Sequence, residues 1–196
     1  MQYDQPELPA GASELAVSGA PSELYYEWPL VRPVIETARL LVVHNSRVAD
    51  DLQHRYPGCR VDVVRMGVSD PHNGRLFVPA ERREVVFATF GLITPEKQIP
   101  TILRAFKRLD SDVPARLRLV GATVSHYDVA ADIRSLGLDE RVDVVGYVAD
   151  TELRSELLNA DVCLCLRWPT GSETSASWLR CLAAGKPTVI STLTHL

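Results

Sequence analysis

The stretch VVFATFGLITPEKQIPTILRAFKRL, residues 85–109, decides the fold. It opens on Val85–Phe90, an apolar run of strand length, and reaches Gly91. After Pro95 it continues with Ile99, Ile102, Leu103, Phe106 and Leu109 at helical spacing. The order strand, glycine, helix then recurs. Leu117–Val120 reads as a strand ending in Gly121, and Val142–Val145 as one ending in Gly146. Val162–Leu166 and Thr188–Ile190 complete the set. Between them, helices are predicted around Val129, Ile133 and Leu136, around Leu153, Leu157 and Leu158, and over Ser175–Ala184, closed by Gly185 with Pro187 beyond. Five strands alternating with four helices predict an α/β fold, a Rossmann-like parallel sheet with helices on both faces.

Outward from this block, residues 66–83 contain Gly67, Pro71, Asn73, Gly74 and Pro79, a loop composition. The expected organisation is a loop or poorly ordered segment over 1–30, the last elements of an N-terminal domain over 31–68, a linker over 69–83, and a main domain over 84–196. Within 31–68, Val31, Val34, Ile35 and Ala38 have helical spacing and Leu40–Val43 reads as a strand. A helix is predicted over Arg47–Tyr56, stopped by Pro57–Gly58, before a short strand at Val61–Val64. The chain stops six residues after Ile190, which leads us to expect a domain truncated at its C-terminus.

With 46% hydrophobic residues in 196, a sizeable core can be buried. The net charge of −4 argues against a nucleic-acid binder, which concentrates basic residues on one face. No apolar run approaches the ~20 residues that span a bilayer, and the N-terminus lacks the pattern of a signal peptide. Cys59, Cys163, Cys165 and Cys181 form no C-x-x-C pair. Cys163 and Cys165, two residues apart on a strand, share a face and are expected to be buried thiols. A reducing cytoplasm fits this usage.

Ligands of open parallel sheets bind outside the carboxyl ends of the strands. There the sequence places Gly91, Gly121, Gly146, the segment Arg167–Ser175, and Ser191. Glu173-Thr174-Ser175-Ala176-Ser177 opens a helix. Its free N–H groups and dipole suit an anion such as a diphosphate, although an ordinary N-cap by Thr174 or Ser175 is an equally simple reading. Lys97 stands near a helix start, where a cation is unfavourable unless an anion joins it; it also reads as a solvated surface lysine. Arg180 lies seven residues after Glu173, about 10.5 Å along a helix and on nearly the same face. It can reach toward a ligand or pair with a surface carboxylate. Asp110-Ser111-Asp112 has the D-x-D form of a metal site but the composition of a turn. His44 reads as a polar strand-end residue rather than a base.

Taken together, these residues resemble the family 4 retaining glycosyltransferases of GT-B fold. The resemblance is carried by Gly91 with Pro95-Glu96-Lys97, by Leu119-Val120-Gly121, by Gly146-Tyr147-Val148, by Ala160-Asp161, and by Glu173 followed by Ala183-Ala184-Gly185-Lys186-Pro187. It implies transfer of a sugar from a nucleotide-diphosphate donor such as a UDP- or GDP-sugar, with retention and with no metal or other cofactor. By the same resemblance, Glu173 and Lys97 are the catalytic candidates. Gly91, Gly121, Gly146, Tyr147, Val148, Thr174, Ser175, Ala176, Ser177 and Arg180 are the candidate donor-binding residues. The family's basic residue after the first glycine is replaced by Leu92, its two glycines after the first glutamate by Thr174 and Ala176, and its second glutamate, which holds the ribose, by Cys181 beside Arg180. The departures at Leu92 and Cys181 keep open a non-catalytic nucleotide-sugar-binding module; a second alternative is a GT-B epimerase, which needs acid–base residues in the cleft that the sequence does not make evident. The acceptor domain of the family is expected to be mostly missing. The 196-residue chain is accordingly expected to bind a nucleotide in a titration with UDP, GDP and ADP, yet to transfer little or no sugar. Robust turnover would contradict this.

Overall fold

The computed structural model describes residues 32–72, 84–109, 112–170 and 172–193. The N-terminal segment, most of the linker, Asp110, Ser111, Gly171 and residues 194–196 lie outside them. The chain divides into two compact units. Among the described residues, a smaller one takes in those up to Met66 with those of 169–174 and Leu193, and a larger one those of 67–168 and 175–192.

In the smaller unit, helix α1 (Arg32–Thr37) precedes strand β1 (Leu41–Val43), helix α2 (Ser46–Arg55) and strand β2 (Val61–Val63). The two strands pair in parallel, Leu41 opposite Val61 and Val43 opposite Val63. Helix α2 starts where the sequence supplies an acceptor: Asn45 Oδ1 accepts the Val48 N–H at 2.9 Å. His54 and Arg55 in its last turn complement the negative end of its dipole.

The larger unit contains strand β3 (Val85–Phe90), a 3₁₀ turn (Pro95–Lys97), helix α3 (Ile99–Lys107), strand β4 (Ala115–Val120), helix α4 (Val129–Ser135) and strand β5 (Val142–Gly146). Helix α5 (Asp150–Asn159), strand β6 (Val162–Cys165), helix α6 (Ala176–Ala183) and strand β7 (Thr188–Ile190) follow. All pairings are parallel, in the order β5-β4-β3-β6-β7. The Rossmann-like sheet read from the sequence is thus the observed one. Its boundaries move little: β4 begins two residues earlier than its apolar run, at Ala115, because backbone pairing with β3 outlasts the hydrophobic pattern.

Strand periodicity builds two cores, one on each face of the sheet. Leu117 and Leu119 pack with Ile99, Leu103, Phe106 and Ile133 of α3 and α4, and Phe87 of β3 joins them. Ala88 and Phe90 point the other way, to Leu157 of α5 and Cys181 of α6, together with Cys163. Arg116 and Arg118 alternate with the leucines of β4. They meet Glu84, Asp143 and Glu156, with Arg118 gripping Glu156 through two bonds of 2.7 and 2.8 Å. Asp161, just ahead of β6, accepts the Val86 N–H at 2.8 Å and so ties β6 to β3. Lys186 is buried, its Nζ donating to the Leu158 carbonyl near the end of α5, where a cation is favoured.

Past the sheet, the loops after β3 and β4 run side by side. The Gly91 N–H donates to Val120 O and the Ile93 N–H to Ala122 O, both at 2.9 Å. At Gly121 (φ +153°) an added Cβ would overlap the carbonyl group of Gly91, which is backbone and held by the sheet. We expect Gly121→Ala to cost about 2–4 kcal/mol in strain and overpacking. That lowers the thermal midpoint by roughly 5 °C or more in a chain of this size. A calorimetric melt shifted by less than about 1 °C would contradict the tight approach, given that scale.

Candidate functional site

Strand order reverses between β3 and β6. From β3 the chain first steps outward through β4 to β5, then returns to the other side of β3. The carboxyl ends of β3 and β6 therefore flank the crevice where such sheets hold ligands. Lys97 is placed there, with Arg167 of the segment after β6 lining the same small space. Pro95–Lys97 makes one 3₁₀ turn, closed by Gln98 at φ +57°. The turn is pinned to the segment after β6: the Trp168 N–H donates to Glu96 O at 2.8 Å, and Gln98 Nε2 to Trp168 O at 2.9 Å. Lys97 stands two residues ahead of α3, near a helix start as read from the sequence, and its side chain runs back to the strand end. Nζ donates to the Phe90 carbonyl at 2.5 Å and to Ser177 Oγ, in the first turn of α6, at 3.4 Å. Gly91, at φ +96°, makes this possible, because a Cβ there would collide with Lys97 Nζ and lie 3.2 Å from Ser177 Oγ.

Among the described residues, no carboxylate pairs with Lys97. Burial, and after it the nearby Arg167 guanidinium, bring its pKa down to about 8, against a weaker opposite effect of Cys165 and Cys181. A cation held under these conditions favours an anionic partner.

Two spaces open at this end of the sheet. A small cavity of about 10 Å³ is lined by Lys97, Cys165, Arg167, Ser175 and Ser177, room for about one water. A cleft of about 350 Å³ runs beside it, bounded by Gly91, Leu92 and Gly121 on one side and by Tyr147, Val148 and Asp150 on another, with Ser177 and Arg180 of α6 closing it. Its volume falls in the range of small-molecule sites, and apolar walls with a few polar groups are their usual lining. Tyr147 is 83% exposed, so its ring is available to a planar ligand. Gly146, which ends β5, sits just before it.

Ser175 is the N-cap of α6, its Oγ accepting the Trp178 N–H at 3.3 Å. Ala176 and Ser177 are the first two helical residues. Glu173 and Thr174 fall with the smaller unit. Thr170 Oγ1 donates to Glu173 Oε2 at 2.9 Å. Thr174 Oγ1 accepts from Asn45 Nδ2 at 3.2 Å, and the same amide donates to Ser172 O at 2.9 Å. Asn45 is the residue that sequence reasoning passed over: its side chain caps α2 with one end and holds the Ser172–Thr174 segment with the other. The neighbouring His44 donates from Nδ1 to Val64 O at 2.8 Å.

Helix α6 also decides which residue faces the cleft. Arg180 lines it, one turn along from Ser177, whereas Cys181 is fully buried against β6. The family pattern puts its second glutamate at Cys181; the residue that the helix presents to the cleft is Arg180, seven residues after Glu173.

The description "Glycosyl transferases group 1" matches residues 84–196. No curated protein matches the chain. Solved structures of similar fold include WaaG, a glycosyltransferase involved in lipopolysaccharide biosynthesis (14% identity, TM-score 0.70, covering 92% of this chain and 54% of that one). Another is HepE from Anabaena in complex with UDP and glucose (17%, 0.66, 94% and 49%). A third is a sucrose-phosphate synthase from Thermosynechococcus elongatus (19%, 0.64, 93% and 48%). The chain spans about half the length of these three structures. It belongs to the group 1 glycosyltransferases, and its larger unit is an α/β domain of their GT-B fold. None of the described helices is long and apolar enough to cross a membrane.

The lowered pKa of Lys97 has a consequence for stability. The folded chain holds Lys97 near 8 and the unfolded chain near 10.5, so between these values the unfolded state binds more protons. Stability from this group therefore rises with pH across that window, and its full cost is present below it. Denaturant melts should show this rise in the parent chain and a flatter profile for Lys97→Met. An unchanged profile would show that Lys97 titrates normally.

Proposed function

We propose that the larger unit binds a nucleotide-diphosphate sugar, a UDP- or GDP-sugar, and that the protein to which this chain belongs transfers the sugar to an acceptor with retention. The observation that carries the reading is Lys97: a half-buried ammonium at the switch point of the sheet, satisfied only by the neutral Phe90 and Ser177 oxygens among the described residues. A diphosphate fits that position. The start of α6 adds N–H groups and dipole at Ala176 and Ser177, and Gly91 and Gly121 let phosphate oxygens approach the backbone. As the sugar departs, charge grows on the diphosphate, and the fixed ammonium stabilises it at that moment. HepE, which shares the fold, has been solved with UDP-glucose, and this supports the same ligand class here.

In this reading Gly146, Tyr147 and Val148 frame the base, and Arg180 meets the ribose or a phosphate where the family pattern has an acid. Glu173 positions the donor sugar, a role taken from its match to the family motif. Transfer is metal-free on the same grounds. Family membership supports catalysis over a purely binding module.

Isothermal titration with UDP, GDP and ADP tests the proposal. Loss of one charge-assisted hydrogen bond is worth about 1.5–3 kcal/mol. Lys97→Ala should therefore weaken the best nucleotide at least about tenfold. Because an anion favours the charged amine, the affinity of the parent chain should fall as pH rises through about 8, with proton uptake on binding. Unchanged affinity in Lys97→Ala, or a pH profile shared by both proteins, would overturn the phosphate assignment.

A further inference from the structure

Strand β6 and helix α6 bring three thiols together. Cys163 and Cys165 share one face of β6, and Cys181 of α6 packs against that face. Cys165 Sγ lies 3.8 Å from Cys181 Sγ. Their exposures differ in a useful way. Cys163 and Cys181 are fully buried, whereas Cys165 is half-buried and lines the water-sized cavity beside Lys97 and Arg167. One thiol can meet a small solute, its neighbour is shielded, and two cations face the first.

We propose that Cys165 and Cys181 form an oxidisable dithiol, with Cys165 the peroxide-reactive thiol and Cys181 its resolving partner. This rests on the thiol geometry alone and is independent of what the cleft binds. The thiolate is the reactive form of cysteine. The bond from Cys181 favours it at Cys165 and, against burial, so do Lys97 and Arg167. Cys181 is held protonated by its contacts with Cys163 and Cys165 and by burial. In the neutral pair Cys165 donates to Cys181; once Cys165 ionises, rotation of the Cys181 S–H lets it donate to the reactive sulfur.

The chemistry balances with hydrogen peroxide as oxidant. The Cys165 thiolate attacks one peroxide oxygen, the O–O bond breaks, hydroxide leaves, and a sulfenic acid forms. The Cys181 sulfur then attacks the sulfenic sulfur. The S–O bond breaks, and its oxygen departs as water with the Cys181 proton. The two electrons lost by the thiol pair reduce the peroxide. Closure from 3.8 Å to the ~2.05 Å of an S–S bond requires side-chain rotation on β6 and α6.

The test uses the full chain, with thiols counted after denaturation and peptides mapped by mass spectrometry. Brief peroxide treatment should lower the free thiols from four to two, with a Cys165–Cys181 linked peptide that dithiothreitol removes. Cys165→Ser should abolish the link, Cys59→Ser should leave it intact, and Cys181→Ser should leave a dimedone-trapped sulfenic acid at Cys165. The mapping on the parent chain stands even where a buried variant fails to fold. Four surviving thiols, a link through Cys59 or Cys163, or Cys165 oxidised beyond sulfenic acid while Cys181 stays a free thiol would each overturn the proposal.

Discussion

The larger unit depends on the contact of two glycines. Gly121 leaves the space that the Gly91 carbonyl occupies, and Gly91 leaves the space that the Lys97 ammonium occupies. A side chain at Gly121 would drive the loops after β3 and β4 apart, and one at Gly91 would displace the Lys97 ammonium. Lys97 would then lose its seat on the Phe90 carbonyl. The floor of the site is thus set by absent Cβ atoms rather than by a network of polar side chains. The cost lands on Lys97, whose charge is held where burial and Arg167 oppose it. That cost is the physical reason to read the position as built for an anion.

Much of this was legible in the sequence. The two periods, strand and helix, alternate cleanly from Val85 to Ile190, and a glycine after each of the first three strands marks where side chains are unwelcome. The parallel sheet follows from that alternation, because a strand returned through a helix arrives parallel to its predecessor. Strand order did not follow. It is fixed by which apolar faces meet, and Ala88, Phe90, Cys163 and Cys181 declare that only once folded.

The site was legible in part. Lys97 stood out through its motif, but a helix start and a strand end are indistinguishable for a long side chain until its backbone turn is seen. Arg180 and Cys181 are adjacent in sequence and opposite in environment. Helical phase separates them, and a shift of one residue, about 100° around the axis, decides which faces the cleft. Asn45 carried no signal beyond that of a helix cap, because its second set of partners lies more than a hundred residues away. The pairing of Cys165 with Cys181 was hidden for the same reason: only the packing of α6 on β6 brings them together.

The central claim is that the carboxyl end of this sheet, at Lys97, receives a nucleoside diphosphate. An amide-resolved NMR titration of the chain with UDP addresses it most directly. The largest shifts are expected at Gly91, Gly121, Tyr147 and Ser177, which surround one cleft while coming from four separate parts of the sequence. Shifts confined to another surface, such as the charged ladder of Arg116, Arg118, Asp143 and Glu156, would contradict it.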